Sequence, residues 1–242
     1  MNRDYQKIIN DIVSWIQKIL QDANSKGFVF GVSGGIDSAL ICAIAAKYFP
    51  KNHLALRMDI ENCVKDIKDA DNVIKHFDAN CIVCDLKPTY DAFTKNLPSN
   101  QLSQMNLKSR LRMNMLYYYA QVNNYLVCGT SNACELFTGY FTKYGDSGSD
   151  FMPLANLTKQ DVYECSKILN VPDEIINKAP SAGLSENQID ENDLQVKYKQ
   201  IDEYLLGKKI EDDAKNRIEY LHKISEHKRN MSKTIFPIGK LI

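Results

Sequence analysis

The sequence predicts an α/β protein in which a doubly wound parallel sheet carries helices on both faces. Through the first half of the chain, short apolar segments suited to buried strands alternate with segments of helical spacing. That alternation is typical of parallel strands joined by helical crossovers. The second observation is a glycine-containing turn between the first strand and the next helix, the position at which such sheets bind ligands.

The elements begin with an amphipathic helix. Its apolar positions recur at helical spacing from Tyr5 to Leu20, and it ends before Gly27. We then expect strands at 28–32, 53–58, 81–86 and 125–128, and helices at 37–48, 64–77, 107–120 and 133–136. The carboxyl ends of parallel strands lie at one edge of a sheet, so the turns after residues 31 and 128 should both lie where a ligand binds.

Beyond residue 138 the pattern loosens. Residues 139–150 are rich in Gly, Ser, Lys and Asp and predict a long loop, which in a compact domain often acts as a lid. A helix is then predicted with Thr158 as N-cap and Asp161 three residues on, as in a capping box. Extra C-terminal helices are predicted from Pro172, over 194–206 and over 212–227, with a polar stretch at 179–193.

Length and composition restrict the class of protein. The 242 residues are 44% hydrophobic and can bury one substantial core, so we expect a single domain over residues 1–242. Thirty basic and thirty acidic residues cancel, which argues against nucleic acid or an anionic membrane as partner and favours a small molecule. The N-terminus lacks a secretory apolar segment and no apolar run is long enough to span a bilayer, so we expect a cytoplasmic location.

The cysteines favour a reducing compartment. Seven of them, an odd number, lie in mostly apolar surroundings, and we expect no disulfides. Cys81 and Cys84 form a C-x-x-C pair that could bind a metal or act in redox chemistry. They lie in a predicted strand, however, where positions three apart face opposite sides, and no second pair completes a zinc site. We therefore expect both to pack in the core.

The glycine turn is the most specific motif in the chain. Small residues let the backbone approach a ligand closely, and the free N–H groups that begin the next helix attract an anion. Unlike the commoner phosphate loop it has no lysine, and Asp37 lies where the phosphates would, which implies Mg²⁺ between them. The plain alternative is a strand-to-helix turn in which Ser33 or Asp37 caps the helix. The motif consists of Gly31, Val32, Ser33, Gly34, Gly35, Ile36, Asp37 and Ser38.

A second polar group follows the strand predicted at 125–128. Thr130 comes soon after that strand, and Glu135 lies one turn into the following helix. This arrangement could bring Glu135 opposite Asp37, and two carboxylates together with phosphate oxygens suit Mg²⁺. A carboxylate in a first helical turn also complements the helix dipole, so Glu135 taken alone would not indicate a metal.

Together these motifs resemble the ammonia-dependent NAD synthetases of the ATP pyrophosphatase (PP-loop) superfamily. The resemblance runs from residue 31 to residue 229 and includes the segments 106–113, 153–159, 178–184 and 198–208. It implies a fold like that of the adenine nucleotide alpha hydrolases, and a homodimer. It also implies that the chain amidates deamido-NAD with ammonia, using ATP through an adenylated intermediate, and releases NAD, AMP and pyrophosphate.

The resemblance also implies roles for individual residues. Residues 31–38 would hold the ATP phosphates, and Asp37 and Glu135 would hold Mg²⁺. Further contacts to ATP would come from Thr130, Lys159 and Ser181. The deamido-NAD site would comprise Arg110, Lys143, Asp150, His227 and Lys228, and catalysis would depend on Asp37, Lys143 and Lys159.

Helical geometry distinguishes two neighbouring arginines in the helix predicted at 107–120. Arg110 borders an apolar stripe that includes Leu107 and Leu111, whereas Arg112 points away from it. We therefore expect Arg110 to be a ligand and Arg112 to be a solvated charge.

Two other functions remain open. The runner-up is a PP-loop enzyme that modifies tRNA and delivers sulfur through Cys81 and Cys84, although the neutral charge and the lack of a basic, aromatic-interleaved patch argue against it. The third is a nucleotide-binding module without catalysis, for which Asp37 and Glu135 would be superfluous.

Overall fold

The computed structural model describes residues 3–181 and 189–230. Within these residues the strands are β1 (Gly27–Gly31), β2 (His53–Asp59), β3 (Cys81–Asp85) and β4 (Tyr125–Val127). They form a parallel sheet in the order β3, β2, β1, β4. The direction of winding therefore reverses between β1 and β4, and in doubly wound sheets a crevice for ligands opens at the carboxyl ends of the strands at such a point.

Helices cover both faces of the sheet and continue beyond it. The first half of the chain holds α1 (Tyr5–Asp22), α2 (Ile36–Tyr48), α3 (Val64–His76), α4 (Lys87–Thr94), α5 (Gln101–Asn123) and α6 (Ala133–Thr138). The second half holds α7 (Lys159–Ile168), α8 (Asp173–Ile176), α9 (Asp190–Leu194), α10 (Tyr198–Leu205), α11 (Asp212–Ile224) and α12 (Glu226–Arg229). In the described ranges, no helix combines the length and the apolar character that a bilayer span requires.

The alternation of side chains along β1 divides the core into two layers. Phe28 and Phe30 point to the layer formed with α1, α2 and α7, and Val29 points to the opposite layer, where Met113 and Leu116 of α5 pack. All five side chains are buried, and burying an aliphatic or aromatic side chain of this kind stabilises the fold by about 1.5–3 kcal/mol. The predicted sheet with helices on both faces is thus confirmed.

A third apolar cluster joins the C-terminal helices to α6. Cys134 of α6 packs there with Leu194, Ile201 and Ile218 from α9, α10 and α11. This cluster confirms the extra C-terminal helices, and it fixes α6, at the carboxyl end of β4, against α10. The helix predicted at 194–206 is present as α10 but begins only at Tyr198, because Gln195 adopts a left-handed conformation with φ 58° and ends the preceding helix α9.

Two further elements differ from the sequence prediction. Helix α4 was not expected, and α5 begins at Gln101, where Asn100 accepts a hydrogen bond from the Ser103 amide as N-cap. The first turns of α5 are largely polar, and apolar periodicity therefore gave no sign of them. Part of the predicted polar stretch, residues 182–188, lies outside the described residues.

Cys81 and Cys84 pack on opposite faces of β3, as predicted. Cys81 contacts the layer on the α1 and α2 side and Cys84 belongs to the layer on the α5 side. Burial raises the pKa of both thiols above the ordinary value. The two thiols therefore point away from each other, and the structure does not bring them together for sulfur delivery.

Candidate active site

The glycine turn lies at the carboxyl end of β1 and leads into α2. The Val32 amide still donates to the Leu56 carbonyl of β2 at 2.9 Å, so the turn leaves the sheet only after that residue. Gly34 has φ 81°, and a Cβ at that position would lie 2.8 Å from the Asp66 carbonyl oxygen. A side chain is therefore excluded there by conformation and by space.

The first amides of α2 have no side-chain cap. The N-cap is Gly35, with no side-chain hydrogen bond to the helix. The Ser33 and Ser38 hydroxyl groups instead bond to each other and to the turn backbone. The alternative in which Ser33 or Asp37 caps the helix is therefore wrong, and the N-terminus of α2 keeps the partial positive charge that binds an anion.

The turn borders a cavity of about 680 Å³ between the ends of β1 and β4. Of residues 31–38, all but Gly34 line it, and so do Thr130, Glu135, Lys159, Ser181 and Lys228. The predicted long loop at 139–150 contains no helix or strand and contributes Tyr140, Phe141 and Thr142 to the wall. The structure thus brings the predicted ATP-binding residues together in one cavity.

Asp37 is held from two sides at the edge of this cavity. Its Oδ2 accepts from the Lys159 ammonium at 2.5 Å, and its Oδ1 accepts from the Asn132 side-chain amide at 2.9 Å. The Lys159 side chain is only 4% exposed, and its ammonium lies 4.9 Å from the centre of the Tyr198 ring. Burial alone would lower the pKa of Lys159, but Asp37 and Glu135 outweigh it and hold the pKa above its ordinary value.

Glu135 is the second carboxylate of the site. It forms a capping box with Asn132: the Asn132 side chain accepts from the Glu135 amide at 3.1 Å, and the Glu135 carboxylate accepts from the Asn132 amide at 3.2 Å. Burial, and then the like charge of Asp37, hold the pKa of Glu135 well above its ordinary value. Glu135 therefore both caps α6 and faces Asp37 in the cavity.

The donor chemistry of this pair suits Mg²⁺. Within the described residues no group of three or more His, Cys, Asp or Glu side chains could hold a metal ion by itself. Mg²⁺, however, binds through one or two carboxylates together with substrate phosphates and water. The like charges of Asp37 and Glu135 repel each other, and a cation shared with phosphate oxygens would relieve that repulsion.

The five residues predicted to bind the dinucleotide separate into three places. Lys228 lies in the cavity, where its ammonium donates to the Gly139 and Phe141 carbonyl oxygens, each at 2.8 Å. Arg110, Lys143 and His227 are not among the described residues that line the cavity, and they form a chain outside it that we call the rim. The Arg110 guanidinium donates to the Lys143 carbonyl at 3.2 Å, and the Lys143 ammonium donates to the His227 carbonyl at 2.6 Å.

Asp150 stands apart from these four residues. Its Oδ1 accepts from the Tyr117 hydroxyl at 3.0 Å and its Oδ2 accepts from the Val127 amide at 2.7 Å. Asp150 is not among the described residues that line the cavity. In this conformation it fixes the end of the 139–150 loop to β4, and its contact with the dinucleotide stays a prediction.

The expectation that Arg112 is a solvated charge is wrong. Its guanidinium donates to the Met58 carbonyl at 3.1 Å and to the Asn62 side chain at 2.9 Å, and it lines the cavity, whereas Arg110 is exposed. Burial lowers the pKa of Arg112 below its ordinary value. The face of α5 that packs on the sheet runs through Met113, and Arg112 lies beside it.

Sequence reasoning also missed the residues that hold the charged groups in place. Asn132 received no role, although the Asn-x-x-Glu spacing is a capping-box signal that could have identified it. Lys178 lines the cavity and pairs with Asp66 at 2.7 Å and Asp69 at 2.6 Å on α3, which ties the segment before Ser181 to the glycine turn. No local sequence pattern predicts the pairing of Lys178 with Asp66 and Asp69.

The site is an anion-binding turn at the switch point of a doubly wound sheet, with two carboxylates and a buried lysine beside it. Such a site is typical of an enzyme that acts on a nucleoside triphosphate. Comparison with known proteins makes the assignment more specific. The NAD synthase family matches residues 8–232. The chain belongs to that family.

Relatives of this family share most of their length with the chain. It is 63% identical to the NH(3)-dependent NAD(+) synthetase of Malacoplasma penetrans, over the whole of both chains. It is 46% identical to that of Finegoldia magna over 96% of each chain. Among solved structures, NMN synthetase from Francisella tularensis is 38% identical with a TM-score of 0.92, covering 97% of this chain and 99% of that one. NH3-dependent NAD synthetase from Campylobacter jejuni is 29% identical with a TM-score of 0.80, covering 97% and 100%.

Proposed function

We propose that the chain amidates deamido-NAD with ammonia, consuming ATP and releasing NAD, AMP and pyrophosphate. The observation that carries this proposal is the group formed by Asp37, Glu135 and Lys159 beside the uncapped N-terminus of α2. A carboxylate cannot be amidated directly because its leaving group would be oxide. Attack of the nicotinate carboxylate on the α-phosphorus of ATP expels pyrophosphate and forms an acyl adenylate, and ammonia then displaces AMP from the carbonyl.

The residues present supply what this chemistry needs. The α2 amides and the Lys159 ammonium place positive charge where phosphate charge develops. Thr130 and Ser181 line the same cavity and are proposed to contact ATP. Asp37 and Glu135 are proposed to hold Mg²⁺, which would neutralise phosphate charge and orient the phosphates for in-line attack.

The rim is proposed to bind the dinucleotide. Arg110, Lys143 and Lys228 add positive charge on the side of the cavity bordered by the 139–150 loop, and a planar guanidinium suits a phosphate ester. His227 adds a ring that can form a hydrogen bond to the dinucleotide. That loop, with Lys143 and Asp150, is proposed to exclude water that would hydrolyse the adenylate. Lys143 is proposed to act in catalysis from this position.

We further propose a homodimer, a single domain over residues 1–242 and a cytoplasmic location. Helix α5 exposes apolar side chains that suit an interface: Leu102 is 66% exposed, Tyr118 64% and Val122 64%. Unpaired cysteines suit a reducing compartment. Analytical ultracentrifugation of Tyr118→Glu tests the dimer, and the same mass as the parent chain would contradict a role for α5.

The reaction itself is tested by product analysis. The parent chain is incubated with ATP, Mg²⁺, deamido-NAD and ammonium, and the products are identified by mass spectrometry. We expect NAD, AMP and pyrophosphate, and near loss of turnover in Asp37→Asn. Release of ADP in place of AMP would contradict adenylation, and equal turnover with glutamine in place of ammonium would contradict the nitrogen source.

A second substrate follows from the structural comparison. The Francisella tularensis protein, with a TM-score of 0.92, is described as an NMN synthetase. The mononucleotide carries the same nicotinate carboxylate as the dinucleotide, so the same site could adenylate it. Comparing kcat/KM for nicotinate mononucleotide and deamido-NAD decides between the two substrates, and we expect the dinucleotide to be preferred because the curated relatives at 63% and 46% identity are NAD synthetases.

A further inference from the structure

A buried carboxylate outside the cavity, that of Asp202 on α10, has no part in the chemistry described so far. Asp202 is 7% exposed. Its Oδ1 accepts hydrogen bonds from the Lys159 amide at 2.9 Å and from the Cys134 thiol at 2.8 Å, and its Oδ2 accepts from the Gln160 amide at 2.9 Å. One side chain of α10 thus binds the first turn of α7 and the first turn of α6 at the same time.

Helix α7 does not need Asp202 to begin. Thr158 and Asp161 form a capping box: the Thr158 hydroxyl accepts from the Asp161 amide at 3.2 Å, and the Asp161 carboxylate accepts from the Thr158 amide at 2.9 Å. The two amides bound by Asp202 are the remaining free donors of that turn, where the helix dipole favours a negative charge. What Asp202 adds is a fixed position of this turn relative to α6 and α10.

Both anchor points of Asp202 adjoin a charged group of the cavity. Lys159, whose amide Asp202 binds, extends its ammonium to Asp37. Cys134, whose thiol Asp202 binds, immediately precedes Glu135. The carboxylate therefore sets the distance between the two helical turns that carry the ammonium and the second acid.

We propose, on the basis of the function proposed above, that Asp202 is a positioning residue for adenylation. It holds the first turns of α6 and α7 in one arrangement, so that the Lys159 ammonium stays on Asp37 and beside the position of the phosphates. It does not contact substrate itself. Displacing a catalytic group by about 1 Å can cost about 10²-fold in rate, so a positioning residue of this kind should appear in kcat rather than in binding.

Asp202→Asn tests this role with a side chain of the same shape. An amide can accept through one oxygen only, and its NH₂ group then faces a donor, so at least one anchor is lost. We expect kcat for pyrophosphate exchange into ATP, dependent on deamido-NAD, to fall about 10- to 100-fold, while KM for ATP changes less than about threefold. Glu203→Gln, at the next position of α10, is the matched control and should leave both parameters unchanged.

A double variant separates positioning from a general loss of stability. If Asp202 acts on the rate through Lys159, adding Asp202→Asn to Lys159→Met should produce little further loss of kcat, because the ammonium that Asp202 positions is already absent. Melting temperatures of the single and double variants report the loss of stability separately. Independent, multiplicative losses of kcat would overturn the inference, and so would an unchanged kcat in the single variant.

Variants of Cys134, whose thiol donates to Asp202, keep the inference testable if Asp202→Asn does not fold. Cys134→Ser keeps a donor for Asp202 and Cys134→Ala removes it, so we expect the serine variant to retain exchange and the alanine variant to lose it several-fold. Equal exchange in the two variants would overturn the inference. The parent chain is the reference: absence of exchange there would refute the proposed function, whereas normal exchange in the parent and in Asp202→Asn would refute only the role of Asp202.

Discussion

Replacing Lys159 by methionine tests the electrostatic basis of the site. Methionine keeps the apolar part of the side chain but removes an ammonium that lies 2.5 Å from Asp37. The Asp37 side chain is 16% exposed, so its charge would be left largely desolvated and facing Glu135. Removing one partner of a buried ion pair costs about 3–5 kcal/mol. Because 1 kcal/mol shifts the melting temperature of a chain of this size by about 2–4 °C, we expect a decrease of about 6–20 °C.

The loss of stability should depend on pH. Burial and Asp37 raise the pKa of Glu135, and Lys159 opposes that rise. Without Lys159 the pKa rises further, so the folded variant binds a proton more tightly than the unfolded chain does. Stability from a raised carboxyl pKa is fully present below the unfolded value, about 4.3, and is lost as the pH rises through the folded value. The difference between parent and variant should therefore be larger at pH 8 than at pH 5.

Thermal melts at these two pH values, with a chelator present, measure both effects. Lys167→Met is the matched control on the same helix: Lys167 is 54% exposed and pairs with Glu164, so its loss should cost less than about 1 kcal/mol. Added Mg²⁺ should then raise the melting temperature of Lys159→Met more than that of the parent, because the variant leaves two carboxylates without a cation. A shift no larger than that of Lys167→Met, and the same at both pH values, would refute the argument.

Two other substitutions follow from the geometry of the turn and of α5. Gly34→Ala combines a φ of 81° with contact to backbone at 2.8 Å, so it should abolish pyrophosphate exchange. The control Gly207→Ala has φ 72° and open space around it, so it should cost only the backbone strain of about 1–3 kcal/mol. Equal effects of the two variants on exchange would contradict the close approach at Gly34. Arg112→Met should lower the melting temperature because buried oxygens lose a charged donor; an unchanged melting temperature would restore the expectation that Arg112 is a solvated charge. Arg110→Met should instead raise KM for deamido-NAD about 10-fold with little change in stability, and an unchanged KM would contradict its role as a ligand.

The two arginines show why the sheet could be predicted from the sequence more fully than α5. In β1 every apolar residue is buried on one face or the other, so an apolar run directly indicates a strand. Helix α5 carries apolar residues on its exposed side as well, since Tyr118 and Val122 are each 64% exposed. The stripe through Leu107 and Leu111 follows partly buried residues at the edge of the buried face, whose centre runs through Met113 and Leu116. The arginine beside Met113 was therefore assigned to solvent.

The long-range contacts that position the charged groups could not be predicted from sequence patterns, for a different reason. A glycine turn or a capping box places its members within a few residues, so spacing identifies it. The Asp37–Lys159 pair joins residues 122 apart, and Asp202 binds an amide 43 positions earlier. In each case only the packing of helices that are distant in the sequence brings donor and acceptor together, and one sequence does not encode that packing as a local pattern.

The two oxygens of Asp37 explain why metal and nucleotide should bind together. One accepts from Asn132 and the other from Lys159, so a cation that binds Asp37 has to compete with the Lys159 ammonium. A triphosphate attracts that ammonium and adds the oxygen ligands that Mg²⁺ prefers. By linkage, ATP should strengthen Mg²⁺ binding by the same factor as Mg²⁺ strengthens ATP binding, and we expect at least about 10-fold. Calorimetric titrations of Mg²⁺ with and without a non-hydrolysable ATP analogue measure this factor. Equal affinities would mean that Lys159 stays on Asp37 when the nucleotide binds, and that Asp37 is not a metal ligand.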